Sequence, residues 1–204
     1  TYNLVNQLAA ARGGIGYPST DPFDRRASKN NISQNQEDIE DMGVSAAAEW
    51  DLGWATLNSV TAFRSWESFR SQDFDHSGAD LGFFAPNGLH QGFDVFTQEL
   101  RLQGESGRLD WLVGLFYSDE TVLNDSAYRM GADYPLIYGG AATFQASTLA
   151  AFKPGDGARG IGEQSGQDLS FFTHNIFHVT DALSVTAGLR YTKNDKEIAF
   201  RGEN

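Results

Sequence analysis

Hydrophobic and polar residues alternate along several long stretches of the chain. The alternation is cleanest near its end, where one face of a predicted strand is apolar and the other polar: Leu183, Val185, Ala187, Leu189 and Tyr191 against Ser184, Thr186, Gly188, Arg190 and Thr192. A second stretch repeats the pattern, with Phe96, Leu100 and Leu102 opposed to Thr97, Glu99, Arg101 and Gln103. Because successive side chains of a strand point to opposite faces, a period of two predicts β-strands with one apolar and one polar face.

Six such strands are predicted, joined into three hairpins. They cover residues 39–50, 54–70, 93–105, 109–122, 167–179 and 183–200. The turns within the hairpins are short and lie at residues 51–53, 106–108 and 180–182, whereas residues 71–92 and 123–164 form long loops between hairpins.

This alternation of short turns and long loops is unusual for a soluble domain, in which structureless loops longer than about 15 residues are uncommon. Outer-membrane barrels alternate short periplasmic turns with long extracellular loops. Several predicted strands also approach or exceed a dozen residues, against about 5–6 for a typical soluble strand. We therefore predict an all-β fold of long antiparallel meander strands from a transmembrane β-barrel.

Aromatic residues lie near the ends of the predicted strands. Trp50 and Trp54 flank the first turn, Trp111 follows the second, and Tyr117 and Tyr191 lie toward the opposite strand ends. Rings with an apolar body and a polar tip suit the lipid headgroup level, where membrane barrels carry aromatic girdles. The same rings could instead cover hairpin ends or fill a soluble core.

The composition narrows the classes of partner. The 204 residues carry a formal net charge of −12 and include no cysteine. The charge argues against nucleic acid and against docking on anionic lipid, and the absence of cysteine excludes disulfides and thiolate metal sites. The chain opens at Thr1 without a basic segment and apolar run, so no signal peptide is expected. The sequence contains no run of about 18 apolar residues, so no transmembrane helix is predicted.

Four segments resemble barrel strands of TonB-dependent receptors. Residues 96–102 read FTQELRL and resemble the family's strand containing Gln-Glu-Leu-Arg-Leu, and a short turn and an aromatic–Gly–aromatic strand follow at residues 111–117, WLVGLFY. Residues 183–191, LSVTAGLRY, resemble the family strand often read as sltaGlRY. Residues 59–64, SVTAFR, are similar to the strand read as SiTaYR. The four segments occur in the family's order.

The resemblance implies a 22-stranded transmembrane barrel in the outer membrane of a Gram-negative bacterium, of which residues 38–204 supply about six strands. Residues 1–37 are expected to belong to an outer loop. The plug domain, the energy-coupling box and the C-terminal strands are not recognised in the sequence, so we expect an incomplete chain. The implied function is active import of a scarce ligand, such as a ferric siderophore, vitamin B12 or a glycan, and not an enzyme activity.

The resemblance also implies the partners. The ligand would bind residues 71–92 and 123–164, outer-membrane lipid would surround the strands, and the inner-membrane TonB complex would act through the missing plug. Nucleic acid is not an expected partner.

No residue is predicted to be catalytic, to bind a cofactor or to bind metal. His174 and His178 are four residues apart, which on a strand is about 13 Å, too far to share one ion. The glycine-rich residues 155–166 lack the Gly-Lys-Ser/Thr of a phosphate loop, and we expect a flexible outer loop there. Two acidic clusters, one at Asp73, Asp75 and His76 and the other within residues 37–41, are interpreted as solvated loop charge.

Two alternatives remain open. A small closed barrel of eight strands would fit if the N-terminal stretch and residues 141–152 supplied two further strands, and it would be passive or structural. A soluble β-sandwich that binds carbohydrate would also produce the alternation.

Overall fold

A computed structural model describes residues 2–15, 23–26, 28–30, 35–139 and 153–203. The described residues form six long strands and two helices. The strands are β1 Glu37–Asp51, β2 Thr56–Asp73, β3 Gly82–Ser106, β4 Leu109–Met130, β5 Gly157–Thr180 and β6 Leu183–Glu203. The helices are α1 Tyr2–Ala11 and α2 Tyr134–Gly139. Among the described residues, neither helix is long and apolar enough to cross a membrane.

The strands form one sheet in sequence order, β1-β2-β3-β4-β5-β6, and every neighbouring pair is antiparallel. The prediction of an all-β antiparallel meander is therefore confirmed. Within the described ranges nothing pairs with the outer edges of β1 and β6, so the sheet is not closed. In the N-terminal stretch, which a closed eight-stranded barrel would need as a strand, residues 2–11 form α1 instead, and residues 141–152 lie outside the described residues.

The short turns lie close to their predicted places, but the long loops are shorter than predicted. β3 begins at Gly82, β4 continues to Met130 and β5 begins at Gly157. The assignment of residues 82–92, 123–130 and 157–166 to loops is therefore wrong, including the flexible glycine-rich loop. These residues are strands because they continue the ladder of their neighbours, for example from Leu123↔Glu163 to Arg129↔Gly157.

The sheet has two faces of opposite character, because directly paired residues on neighbouring strands share a face. One face carries a continuous strip of uncharged residues, which we call the apolar band, and each strand contributes four or five alternate positions to it. The band comprises Met42, Val44, Ala46, Ala48 and Trp50; Leu57, Ser59, Thr61 and Phe63; Phe96, Gln98, Leu100, Leu102 and Gly104; Leu109, Trp111, Val113, Leu115 and Tyr117; Leu169, Phe171, Thr173, Asn175 and Phe177; and Leu183, Val185, Ala187, Leu189 and Tyr191. We call the opposite side of the sheet the polar face.

Charges begin directly beyond the band on the same side of the sheet. The next alternate position is Glu40 on β1, Asp94 on β3, Asp119 on β4 and Lys193 on β6. The polar face carries charges level with the band, for example Arg101 and Arg190. The apolar character is thus limited to one side and to a height of about nine residues.

No second layer covers the band in the part of the chain that the structure describes. Among the residues that the structure describes, the buried hydrophobic ones are Ala9, Ala55 and Ala79. Large band residues are exposed, including Leu189 at 69% and Val185 at 53%. The described residues therefore lack the second packed sheet that a soluble β-sandwich requires.

The hairpins are staggered along the strand direction. Thr56 at the first turn pairs with Gln103, and β3 runs three residues further before the second turn. Leu109 at the second turn pairs with Phe177, and β5 again runs three residues further before the third turn. Each short turn is therefore displaced by about 10 Å along the strands from the turn before it, while the two turns are two strand spacings of about 4.8 Å apart across the sheet. If the turns lie at one level, as at the rim of a barrel, the strands are tilted by about 45° from the barrel axis.

Glycines on one strand lie beneath aromatic rings of the next. A Cβ atom at Gly114 would overlap the ring of Phe172, its cross-strand partner. A Cβ at Gly104 would lie 2.8 Å from the ring of Trp111, also its direct partner. The aromatic–Gly–aromatic segment at residues 111–117 therefore has a packing reason, since the glycine leaves room for a ring from the neighbouring strand.

Candidate functional site

The two regions predicted to face a ligand meet at the long-loop end of the sheet. The backbone N–H of Asp133 donates to the carbonyl oxygen of Asp80 over 2.8 Å, and the N–H of Asp80 donates to Asp133 Oδ2 over 2.9 Å. The N–H of Ala132 donates to Asp80 Oδ2 over 2.9 Å. Two buried aspartates thus join the β2–β3 loop to the segment that follows β4.

Arg12, just after α1, joins the N-terminal helix to the same point. Its Nε and Nη2 donate to the two carboxylate oxygens of Asp133 over 2.8 and 2.9 Å. Ala9 on α1 is fully buried and packs closely against Gly78. A Cβ atom added to Gly78 would lie 3.2 Å from the Cβ of Ala9. The hydrogen bonds from the Arg12 guanidinium hold the pKa of Asp133 below its usual value, against the opposing effect of burial.

Replacing Asp133 with asparagine should loosen α1 and the β2–β3 loop. We expect a loss of about 1–2 kcal/mol of local stability, the value of a charged hydrogen-bond pair reduced for the partial exposure of Arg12. Because the pKa of Asp133 is lowered in the folded state, its contribution is present above the ordinary value of about 3.9 and is lost as the pH falls through the lowered pKa. Hydrogen exchange of residues 2–14 measures both effects.

The matched control for this substitution is Asp195→Asn, which breaks an exposed pair with Lys193. It should leave exchange unchanged, because exposed ion pairs contribute little. Equal protection of residues 2–14 in Asp133→Asn and the unsubstituted protein would show that the ion pair does not hold the helix.

In the first acidic cluster, Asp73 is not solvated as predicted, whereas His76 is exposed. Asp73 is 1% exposed and accepts the backbone N–H groups of Asn30 and Asp75 over 3.0 and 3.1 Å. Burial raises the pKa of Asp73, and the charge of Asp75 raises it further. Within the described residues, no group of three or more acidic or histidine side chains is arranged to hold a metal ion.

His174 and His178, the pair noted in the sequence, both lie on β5 and point to the polar face. His178 Nε2 lies 2.8 Å from Asp110 Oδ2, and its Nδ1 lies 2.9 Å from Ser184 Oγ. His174 lines a shallow depression with Gln103, Glu105 and Asp110 near the short turns. The structure does not bring the two imidazoles together, because both are on one strand at the spacing that the sequence implies.

A cluster around Arg190 organises the middle of the polar face. Its guanidinium carbon lies 5.9 Å from the ring centre of Phe116 and 5.6 Å from that of Phe172. Arg190 Nη2 donates to Ser170 Oγ over 3.0 Å, and Ser170 is 1% exposed and also bonds Thr192 over 2.8 Å. The charge is thus held against two rings, which is a favourable place for a guanidinium.

The chain matches no protein-family model and no curated protein. The functional argument therefore depends on the sequence and on the geometry of the sheet.

Proposed function

We propose that the chain is part of the wall and outer loops of a TonB-dependent receptor in the outer membrane of a Gram-negative bacterium. Such a receptor imports a scarce ligand, such as a ferric siderophore, vitamin B12 or a glycan. The apolar band is the observation that carries the proposal. Its height of about nine residues equals what a tilted strand needs to cross a bilayer.

The absence of charge from the band supports a lipid-facing role. An arginine or lysine on the lipid face costs about 2–4 kcal/mol at the bilayer midplane. All six strands avoid this cost on the same side, although four of them carry a charged residue at the next alternate position. A sheet face in bulk water would have no reason to exclude charge so sharply.

The polar residues within the band also suit hydrocarbon, because they bond to one another. Gln98 Nε2 donates to Ser59 Oγ over 3.0 Å, and Thr61 Oγ1 donates to Gln98 Oε1. Asn175 Nδ2 donates to Thr173 Oγ1 over 2.9 Å. Unsatisfied polar groups in lipid cost several kcal/mol each, so such internal pairing removes most of the penalty.

Aromatic residues border the band on both sides. Trp54 stacks on Trp111 at the short-turn end, with ring centres 6.2 Å apart. Phe96 and Tyr117 contact at the other border, 6.4 Å apart. This placement suits the aromatic girdles of a membrane barrel, and the inclination of about 45° suits the tilt of its strands.

The open edges of β1 and β6 would pair with the remaining strands of a 22-stranded barrel. The polar face would line the lumen, and the joined loops at residues 74–81 and 131–139 would lie outside the cell, where ligand arrives. The inner-membrane TonB complex would act through a plug domain.

Cysteine labelling in whole cells tests this orientation, because the sequence has no cysteine of its own. In the complete barrel, single cysteines at Leu52, Gly107 and Asp181 lie in the short turns and should resist an impermeant thiol reagent. Cysteines at the exposed positions His76 and Lys153 should react. Short turns are periplasmic in this class of protein, so labelling of the turns with protection of the loops would contradict the proposal.

A further inference from the structure

Beyond the level of the band, the polar face becomes rich in aromatic and amide side chains. Trp66, Phe93 and Val122 form one cross-strand row on β2, β3 and β4. The outermost row contains the Phe84–Tyr128 pair, against which Phe74 also packs, with ring centres 5.6 and 6.0 Å away. The two aromatic rows are about 20 Å apart on β4, at about 3.3 Å per residue.

Amides and small residues, together with Arg70 and Leu89, occupy the space between these aromatic rows. Ser68, Gln91 and Asn124 are paired in a single row next to Trp66. Gln91 accepts a hydrogen bond from Arg70 over 3.1 Å, whereas its contact with Asn124 is long, at 3.4 Å. The side-chain amides of Gln91 and Asn124 can replace their long mutual contact with hydrogen bonds to a ligand, since each has an NH2 group that donates and an oxygen that accepts.

The same region has room above β5. Gly160 and Gly162 lie on the polar face beside Ser126 and Asn124. Among the described residues, the ring of Phe200 lies 3.4 and 3.8 Å from where their Cβ atoms would be, with Ser126 Oγ and the Asn124 carbonyl oxygen at 3.7 and 3.9 Å, and Phe200 is 78% exposed. The surface is therefore a shallow trough with a glycine floor and aromatic borders.

Charges around the trough are balanced. Arg64 pairs with Asp41 at 2.7 Å, Arg70 lies 3.7 Å from Glu37, and Lys196 lies 3.3 Å from Glu120. These pairs among the described residues leave no excess of either sign to select a charged ligand.

We propose that this trough binds a neutral oligosaccharide. Sugar rings present apolar C–H faces, which pack on aromatic rings, and hydroxyl groups, which bond to amides. The row spacing gives room for several linked sugar rings, with hydroxyls near Gln91 and Asn124 and ring faces on Trp66, Phe93 or Tyr128. The inference rests on the proposed function, because it uses the polar face as the lumen wall, and it names the ligand class.

Saturation-transfer NMR with maltotriose, cellotriose and mannotriose tests the proposal on the complete barrel in detergent micelles. At least one of these trisaccharides should show transfer, and the anionic trigalacturonate should show none. Gln91→Ala combined with Asn124→Ala should reduce the transfer at least about fivefold.

The control is Gln98→Ala, which removes the same kind of side chain from the same strand on the opposite face. It should leave transfer unchanged, and Trp66→Phe should retain transfer where Trp66→Ala loses it. Absence of transfer from all three sugars, or equal loss in the Gln91/Asn124 and Gln98 variants, overturns the inference. Sugar binding does not report on lipid contact, so this result is separate from the labelling test of the proposed receptor.

Discussion

Arginine at Val185 should reduce the stability of the barrel in lipid by about 2–4 kcal/mol if the residue lies near the bilayer midplane. Val185 is in the apolar band, 53% exposed, with Phe177 as its cross-strand partner. An arginine there would place a charge in hydrocarbon. Refolding of the complete barrel into lipid vesicles, titrated with urea, measures the change in the free energy of unfolding.

Arginine at Thr186 is the matched control, because it is one residue away on the same strand and points to the polar face. Its cost should be much smaller, since the new charge would reach the water-filled lumen. Equal costs at the two positions would show that the apolar band does not face lipid.

The 204-residue chain alone should not give a soluble monomer that unfolds cooperatively. β1 and β6 leave the backbone groups of their outer edges unpaired within the described sheet, and exposed edges promote aggregation. The apolar band would face water, and the buried hydrophobic residues of the described chain are three alanines. A bacterial barrel needs at least eight strands to close.

Sedimentation velocity and a thermal melt in detergent-free buffer test this second prediction. We expect large, polydisperse particles without a sharp transition, whereas the same chain in detergent should stay dispersed. A monodisperse, detergent-free monomer with a sharp melt would instead favour a soluble β protein.

The hairpins could be predicted from sequence because their signals are local. The faces of β6 follow from the alternation around Val185, and the short turns follow from residues such as Gly53 and Gly107, both at positive φ. The start of β3 could not be predicted, because Asn87 also has positive φ and the register shifts between Phe84 and Leu89. Residues 157–166 have low strand propensity and become a strand through pairing with β4 on one side and, from Arg159 onward, with β6 on the other.

The loop-end contacts had little or no signal in the sequence. Arg12 and Asp133 are 121 residues apart, and neither stands in a motif. A signal for α1 did exist, since Leu4, Val5, Leu8 and Ala9 follow a helical period. The burial of Asp73 depends on Asn30, a distant residue that supplies a backbone N–H.

The glycine–aromatic pairs imply that some positions of this chain evolve together. Any side chain at Gly114 would collide with Phe172 unless that ring became smaller or turned away. Relatives should therefore keep the glycine and the ring together or replace both, although the two are on different strands. The same coupled change is expected for Gly104 and Trp111. Matching such pairs across strands could identify distant relatives whose individual strands have diverged too far to be recognised one at a time.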